Sequence, residues 1–129
     1  MTTIRLVDDN PADNFVLRLN INRLGLDWKV STYTDAKQVL FELRRSPADH
    51  PELLLVDIHM PGMDGFEFVD AFSKLSHTAR RHRTVCIASG SNDPDDRRRA
   101  AAHPHITTFL AKPVDPMQLV NLTTQHAAS

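Results

Sequence analysis

Leu53-Leu54-Leu55-Val56 is an unbroken apolar run that stops on a carboxylate, Asp57. A strand with one face in water alternates apolar and polar residues. One that is apolar at every position is buried on both faces, as in a parallel sheet covered by helices. Four further stretches read as extended segments: Ile4–Val7, Trp28–Tyr33, Thr84–Ala88 and Ile106–Ala111. Between them the apolar spacing lengthens to that of a helix. Asn10 with Pro11 and Asp13 is a helix start, and Ala12, Phe15, Val16 and Leu19 recur at helical spacing until Gly25. Ala36, Val39, Leu40 and Leu43 mark a second helix, and Phe66, Val69, Phe72 and Leu75 a third after the Met60–Gly65 loop. Asp93-Pro94 opens a short charged helix to about Ala102, and Asp115-Pro116 a last one carrying Met117, Val120 and, as a further candidate, Leu119. Five βα units in series predict an α/β fold with one doubly wound, five-stranded parallel sheet. The runs do not set the strand order. The flavodoxin-like order 2-1-3-4-5 is one of the two common ones and is the one expected.

The polar residues stand where such a sheet keeps its chemistry. Four of the five runs end in a capable group: Asp8-Asp9, Asp57, Ser89 and Lys112. In open α/β sheets the ligand crevice lies outside the carboxyl ends of the strands, so these distant residues are predicted to converge. Alone, Asp8-Asp9 reads as a helix-capping or solvated pair and Ser89 as a turn residue. Together with Asp57 and Lys112 they are the inventory of a metal-assisted phosphoryl site. Three close carboxylates repel one another, and a hard divalent cation such as Mg²⁺ removes that cost. One carboxylate can then attack phosphorus, while a metal ion, a lysine and a hydroxyl stabilise the charge on the transferring group.

Composition excludes several alternatives. Fifteen basic against sixteen acidic residues leave a formal charge of −1, which provides no overall field for nucleic acid. No apolar run approaches the ~20 residues that cross a bilayer, and the first ten residues lack the apolar core of a signal peptide. The one cysteine, Cys86, lies inside an apolar run and reads as an inert buried thiol. These features predict a cytoplasmic single domain over 1–129, without an output domain, a membrane segment or a nucleic-acid partner.

Leu6-Val7-Asp8-Asp9-Asn10, Leu54-Leu55-Val56-Asp57-Ile58-His59-Met60-Pro61-Gly62-Met63-Asp64-Gly65, Ile87-Ala88-Ser89-Gly90 and Phe109-Leu110-Ala111-Lys112-Pro113 resemble, in this order, the signature of response-regulator receiver domains of two-component signalling. The resemblance covers about residues 3 to 126. It implies that Asp57 is the phosphoacceptor, with a sensor histidine kinase or histidine phosphotransfer protein as donor. Asp9 and Asp57 would bind Mg²⁺ through their side chains, His59 through its backbone carbonyl and Asp8 mostly through water. Lys112 would pair with Asp57 and the phosphoryl group, and Ser89 would donate its hydroxyl to a phosphoryl oxygen. Phe109 matches the aromatic switch position, and Lys112-Pro113 a cis peptide. The output face would be the fourth helix, fifth strand and fifth helix, serving a protein partner or a phosphorelay.

Some residues depart from that pattern or have two readings. Gly90 leaves the mouth of the site open. The imidazole of His59 stands where it would order or block a hydrolytic water. Arg97-Arg98-Arg99 is either a solvated helix face or a docking patch. Arg80-Arg81-His82-Arg83 reads as a solvated loop, and His103 and His105 as surface residues without metal-ligand spacing. One rival is a phosphatase of the haloacid-dehalogenase type, which wants a second aspartate where His59 stands. Another is a pseudo-receiver that docks without being phosphorylated.

Overall fold

The computed structural model describes residues 1–91 and 93–128, the side chains of residues 125–128 excepted. Five parallel strands form one sheet in the order β2-β1-β3-β4-β5: β1 Thr2–Val7, β2 Trp28–Tyr33, β3 Glu52–Asp57, β4 Arg83–Ser89 and β5 Thr108–Ala111. The helices are α1 Pro11–Asn22, α2 Ala36–Arg45, α3 Gly65–Ser73, α4 His77–Arg80, α5 Pro94–Ala102 and α6 Pro116–Ala128. The short α4 lies in a connection that the periodicity left without a helix, so the expected fourth and fifth helices are α5 and α6.

The unbroken run of β3 has the expected cause. Leu54 and Val56 enter one apolar core with α2, α3, α4 and α5, while Leu53 and Leu55 enter a second beneath α1 and α6. All six residues of β3 are buried. The chain leaves β1 toward one edge and β3 toward the other, so a crevice opens between them at the carboxyl end of the sheet.

Side-chain caps start the helices at that same end. Asn10 accepts from the amides of Ala12 and Asp13, Asp35 from Lys37, and Asp93 from Asp95. Asp64 and Glu67 form a reciprocal capping box on α3. Gly65 is fixed by packing, because a Cβ there would lie 2.7 Å from the backbone oxygen of Asp57. Only glycine lets α3 start against the end of β3.

Two helices present faces other than those predicted. On α1 the expected inward set, Ala12, Phe15, Val16 and Leu19, is exposed, Phe15 at 66%. Asn14 and Ile21 face the sheet instead. The Asn14 side-chain amide donates to the carbonyls of Asp8 (3.1 Å) and Tyr33 (3.0 Å), joining the ends of β1 and β2. The Asp8 carbonyl is buried and needs a donor, and supplying it turns the Asn14 side of the helix toward the sheet. On α6, Leu119 is fully buried while Met117 is 48% exposed, the reverse of the order expected.

The other end of the sheet holds a network that periodicity could not show. The Arg83 side chain is fully buried rather than solvated. It donates to Glu52 (3.2 Å) and to the carbonyls of Leu43 (3.0 Å), Ala79 (2.7 Å) and Ser46. It thereby satisfies carbonyls at the ends of α2 and α4 that their helices leave unpaired. Glu52 also accepts from Arg5 (2.9 Å), which donates onward to Tyr33 (2.6 Å) and Glu42 (2.9 Å). His103 and His105 are half-buried rather than on the surface, and His103 bonds Asp70 at 2.9 Å.

Removing one partner of a buried ion pair leaves an uncompensated charge, which typically costs about 3–5 kcal/mol. Arg83→Ala is expected to lose stability in that range in urea unfolding. Arg83→Lys should recover little of it, since one ammonium cannot replace a fork that reaches four acceptors.

Candidate functional site

The strand ends bring the expected residues together. Asp8 follows β1 and Asp57 closes β3, both only 7% exposed, with exposed Asp9 beside them. One carboxylate oxygen from each lies within 4.8 Å of the others, and this is the metal-capable cluster found among the described residues. Lys112 reaches in from the turn after β5, through a Lys112-Pro113 bond that is cis, as expected.

The ammonium is not centred on Asp57. Lys112 Nζ lies 2.6 Å from Asp8 Oδ2, 3.4 Å from Asp57 Oδ1 and 3.6 Å from Asp13 Oδ2. Asp8 is held on both oxygens, since its Oδ1 accepts from the backbone amide of Asn10 at 2.9 Å. This carboxylate is therefore a fixed anchor for the lysine. Asp57 has no such short contact with Lys112, and its other support is the backbone amide of His59.

These contacts separate the two groups electrostatically. Burial raises the Asp57 carboxyl above its ordinary value; Lys112 pulls it down and the neighbouring Asp8 charge pushes it up again. For Lys112 burial favours the neutral amine, but its bond to Asp8 and the charges of Asp57 and Asp8 outweigh this and hold it above its ordinary value. Asp57 is thus a carboxylate with an incompletely balanced charge, beside a fully protonated lysine. Divalent cations with oxygen preference fit this donor set: three hard oxygen ligands, excess negative charge and no soft donor. Cys86, the one thiol, is buried elsewhere in the second core, and burial pushes it up to about 12.

Ser89, 1% exposed, ends β4 beside this cluster, because β3 and β4 pair Asp57 with Ala88. Its hydroxyl oxygen accepts from the Ser91 amide at 3.0 Å, and its carbonyl accepts from the Lys112 amide at 2.9 Å. Phe109 lies half-buried on β5 against the first core. His59 turns its imidazole outward, 63% exposed, with Nε2 3.8 Å from Asp96 on α5. A Cβ added to Gly90 would meet nothing within 4 Å, so the mouth is open there. Beside Asp57 and Lys112 a cleft of about 350 Å³ runs between α1 and the β5–α6 turn, past Val16, Leu17, Pro113 and Val114. The sequence reading missed this cleft because it rests on the exposed rotation of α1.

Residues 4–124 match the family model of the response regulator receiver domain, and the chain belongs to that family. It is similar over 95% of its length, at 32% identity, to an uncharacterized 14.6 kDa protein of Leptolyngbya boryana, of which it covers 88%. Among solved structures it resembles a response regulator receiver protein from Dyadobacter fermentans, with a TM-score of 0.88, 29% identity and 97% of each chain covered. It shares its fold with the receiver domain of a sensor histidine kinase from Pseudomonas aeruginosa, solved with a magnesium ion coordinated in the active-site cleft. That likeness has a TM-score of 0.76 at 23% identity and covers 98% of each chain. The family is one of signalling domains rather than of classical enzymes.

The raised Asp57 carboxyl has a consequence for stability. An acid whose folded value lies above its unfolded one stabilises the fold when protonated, and that contribution is lost as the pH rises through the folded value. Near neutral pH the charged Asp57 is therefore a net burden. Asp57→Asn is expected to melt at a higher temperature than the wild type at pH 7, with the difference shrinking as the pH falls toward the ordinary carboxylate value of 3.8. Calorimetry across that range checks this; a variant less stable at pH 7 contradicts the electrostatic assignment.

Proposed function

We propose that this chain is a phosphoacceptor: Asp57 takes a phosphoryl group from the phosphohistidine of a sensor histidine kinase or a phosphotransfer protein, with Mg²⁺ required. The observation that carries this reading is the gathering of Asp8, Asp9 and Asp57 oxygens within 4.8 Å, opposite the Lys112 ammonium 3.4 Å from Asp57. Side chains of Asp9 and Asp57 and the carbonyl of His59 would hold the ion, with Asp8 contributing mostly through water. Bound there, Mg²⁺ would offset the carboxylate repulsion and stabilise charge on the transferring group.

The protein's own residues do the rest. An Asp57 carboxylate oxygen forms a bond to phosphorus while the phosphorus–nitrogen bond of the donor breaks, and the electron pair leaves with the imidazole. Asp8, bonded by the Asn10 amide, holds Lys112 so that its ammonium faces the new phosphoryl oxygens. Ser89 donates its hydroxyl to one of those oxygens, which requires the loop to Ser91 to shift. Contacts made only in the modified state bias a pre-existing equilibrium, and Phe109 with α5, β5 and α6 presents the changed surface to a protein partner or a relay. Exposed Phe15, Val16 and Leu19 beside the cleft offer a donor protein an apolar footing next to Asp57. The reading places the protein in the cytoplasm with its donors. Among the described residues no helix is long and apolar enough to cross a membrane.

Retention of Asp8, Asp9, Asp57 and Lys112 in one constellation favours this over a pseudo-receiver. His59, where a dehalogenase-type phosphatase wants an aspartate, speaks against that enzyme.

Incubation with acetyl phosphate and Mg²⁺ is expected to add the mass of one phosphoryl group, labile to acid and hydroxylamine. Asp57→Asn should add none, and chelation should abolish the gain in the wild type. Intact-mass spectrometry reads all three, and an unlabelled wild type with Mg²⁺ present would end the reading. His59→Ala is expected to change the rate at which the label is lost, followed by the same measurement.

A further inference from the structure

Among the described residues α5 buries only Ala100. One buried methyl cannot seat a nine-residue helix by apolar burial. What holds it lies on either flank of that alanine. The Arg97 guanidinium stands 4.7 Å from the centre of the Phe109 ring, and that of Arg99 stands 4.1 Å from the centre of the Phe66 ring. Residues two apart on a helix point to different sides, so α5 straddles the gap between β5 and α3 with one cation on each aromatic face. Among the described residues Arg98, between them, pairs only with exposed Asp95. The three successive arginines are thus two anchors and one solvated residue.

Phe109 is the half-buried ring on β5, and α5 follows directly on the segment that begins at Ser89 and is capped at Asp93. Ser89 is tied to its own loop by the Ser91 amide. If Ser89 turns toward a modified Asp57, the segment moves, and α5 with it. For the ring to leave its place, it must first lose the guanidinium above it.

We propose that Arg97 is a positioning residue which, by covering Phe109, seats α5 on β5 and sets how readily α5 shifts. Its effect on phosphorylation rests on the phosphoacceptor reading above; the contact itself does not. Losing a cation–π contact at an exposed site shifts an equilibrium by about two- to fivefold.

Amide hydrogen exchange of the unmodified full chain tests the contact. R97A is expected to speed exchange across residues 94–102 by about two- to fivefold, with β3 unchanged as internal reference. R98A should leave α5 as in the wild type, and R97K should fall between. Because alanine is the better helix former, faster exchange in R97A cannot come from helix propensity. In an F109L background R97A should add nothing further, which isolates the pair. Equal exchange in R97A and R98A, or an undiminished R97A effect without the Phe109 ring, overturns the contact. For the functional consequence, R97A should take label from acetyl phosphate and Mg²⁺ about two- to fivefold faster than the wild type, and an unchanged rate overturns the positioning role. A wild type that takes no label overturns the phosphoacceptor reading instead, and the exchange cycle then decides the Arg97 contact on its own.

Discussion

Three carboxylates held close together beside one ammonium set the terms for the carboxyl end of this molecule. Like charges at such distances are tolerated only because the fold constrains them and Lys112 offsets part of their field. The offset is unequal. Asp8 is bonded at both oxygens and holds the lysine at 2.6 Å, whereas Asp57 sees it at 3.4 Å. Of the two carboxylates that share the lysine, Asp57 has the less compensated charge. A buried carboxylate that is costly to keep ionised gains most from a cation or from modification.

The scaffold supports that arrangement at both ends of the sheet. At the carboxyl end the helices begin, their positive dipole ends facing the crevice and their first amides capped by Asn10, Asp35, Asp64 and Asp93. At the amino end they finish, and the Arg83 guanidinium takes up carbonyls from Leu43, Ser46 and Ala79. Acidic residues thus gather where strands end, and the buried arginine sits where they start. Gly65 and Asn14 give precision to this plan: one lets α3 touch the end of β3, the other ties α1 to the ends of β1 and β2.

Much of this was legible in the residues. The β3 run fixed a strand buried on both faces, and the polar terminations of four runs placed Asp8, Asp9, Asp57, Ser89 and Lys112 at one rim. The errors share a cause. Phe15, Val16 and Leu19 fit a helical period as well as any core set, yet Asn14 faces the sheet to donate to the carbonyls of Asp8 and Tyr33, and that face of the helix turns outward. Arg83 looked like one more arginine in a basic loop, because three of its four acceptors lie 31 to 40 residues away and three of the four are backbone carbonyls with no side-chain signature. Periodicity counts apolar side chains and does not register the demand of buried polar backbone.

By itself, then, the chain's order of residues determined the alternation of elements, the parallel sheet and the identity of the groups at its carboxyl-end rim, since these follow from local period and from the end at which each run stops. Only the tertiary structure decided which oxygen Lys112 takes, which side of α1 meets water and which rings the arginines of α5 cover. Those outcomes depend on contacts between segments remote in sequence, where hydrogen-bond satisfaction and charge balance compete with apolar burial, and that competition is settled only once the segments are packed.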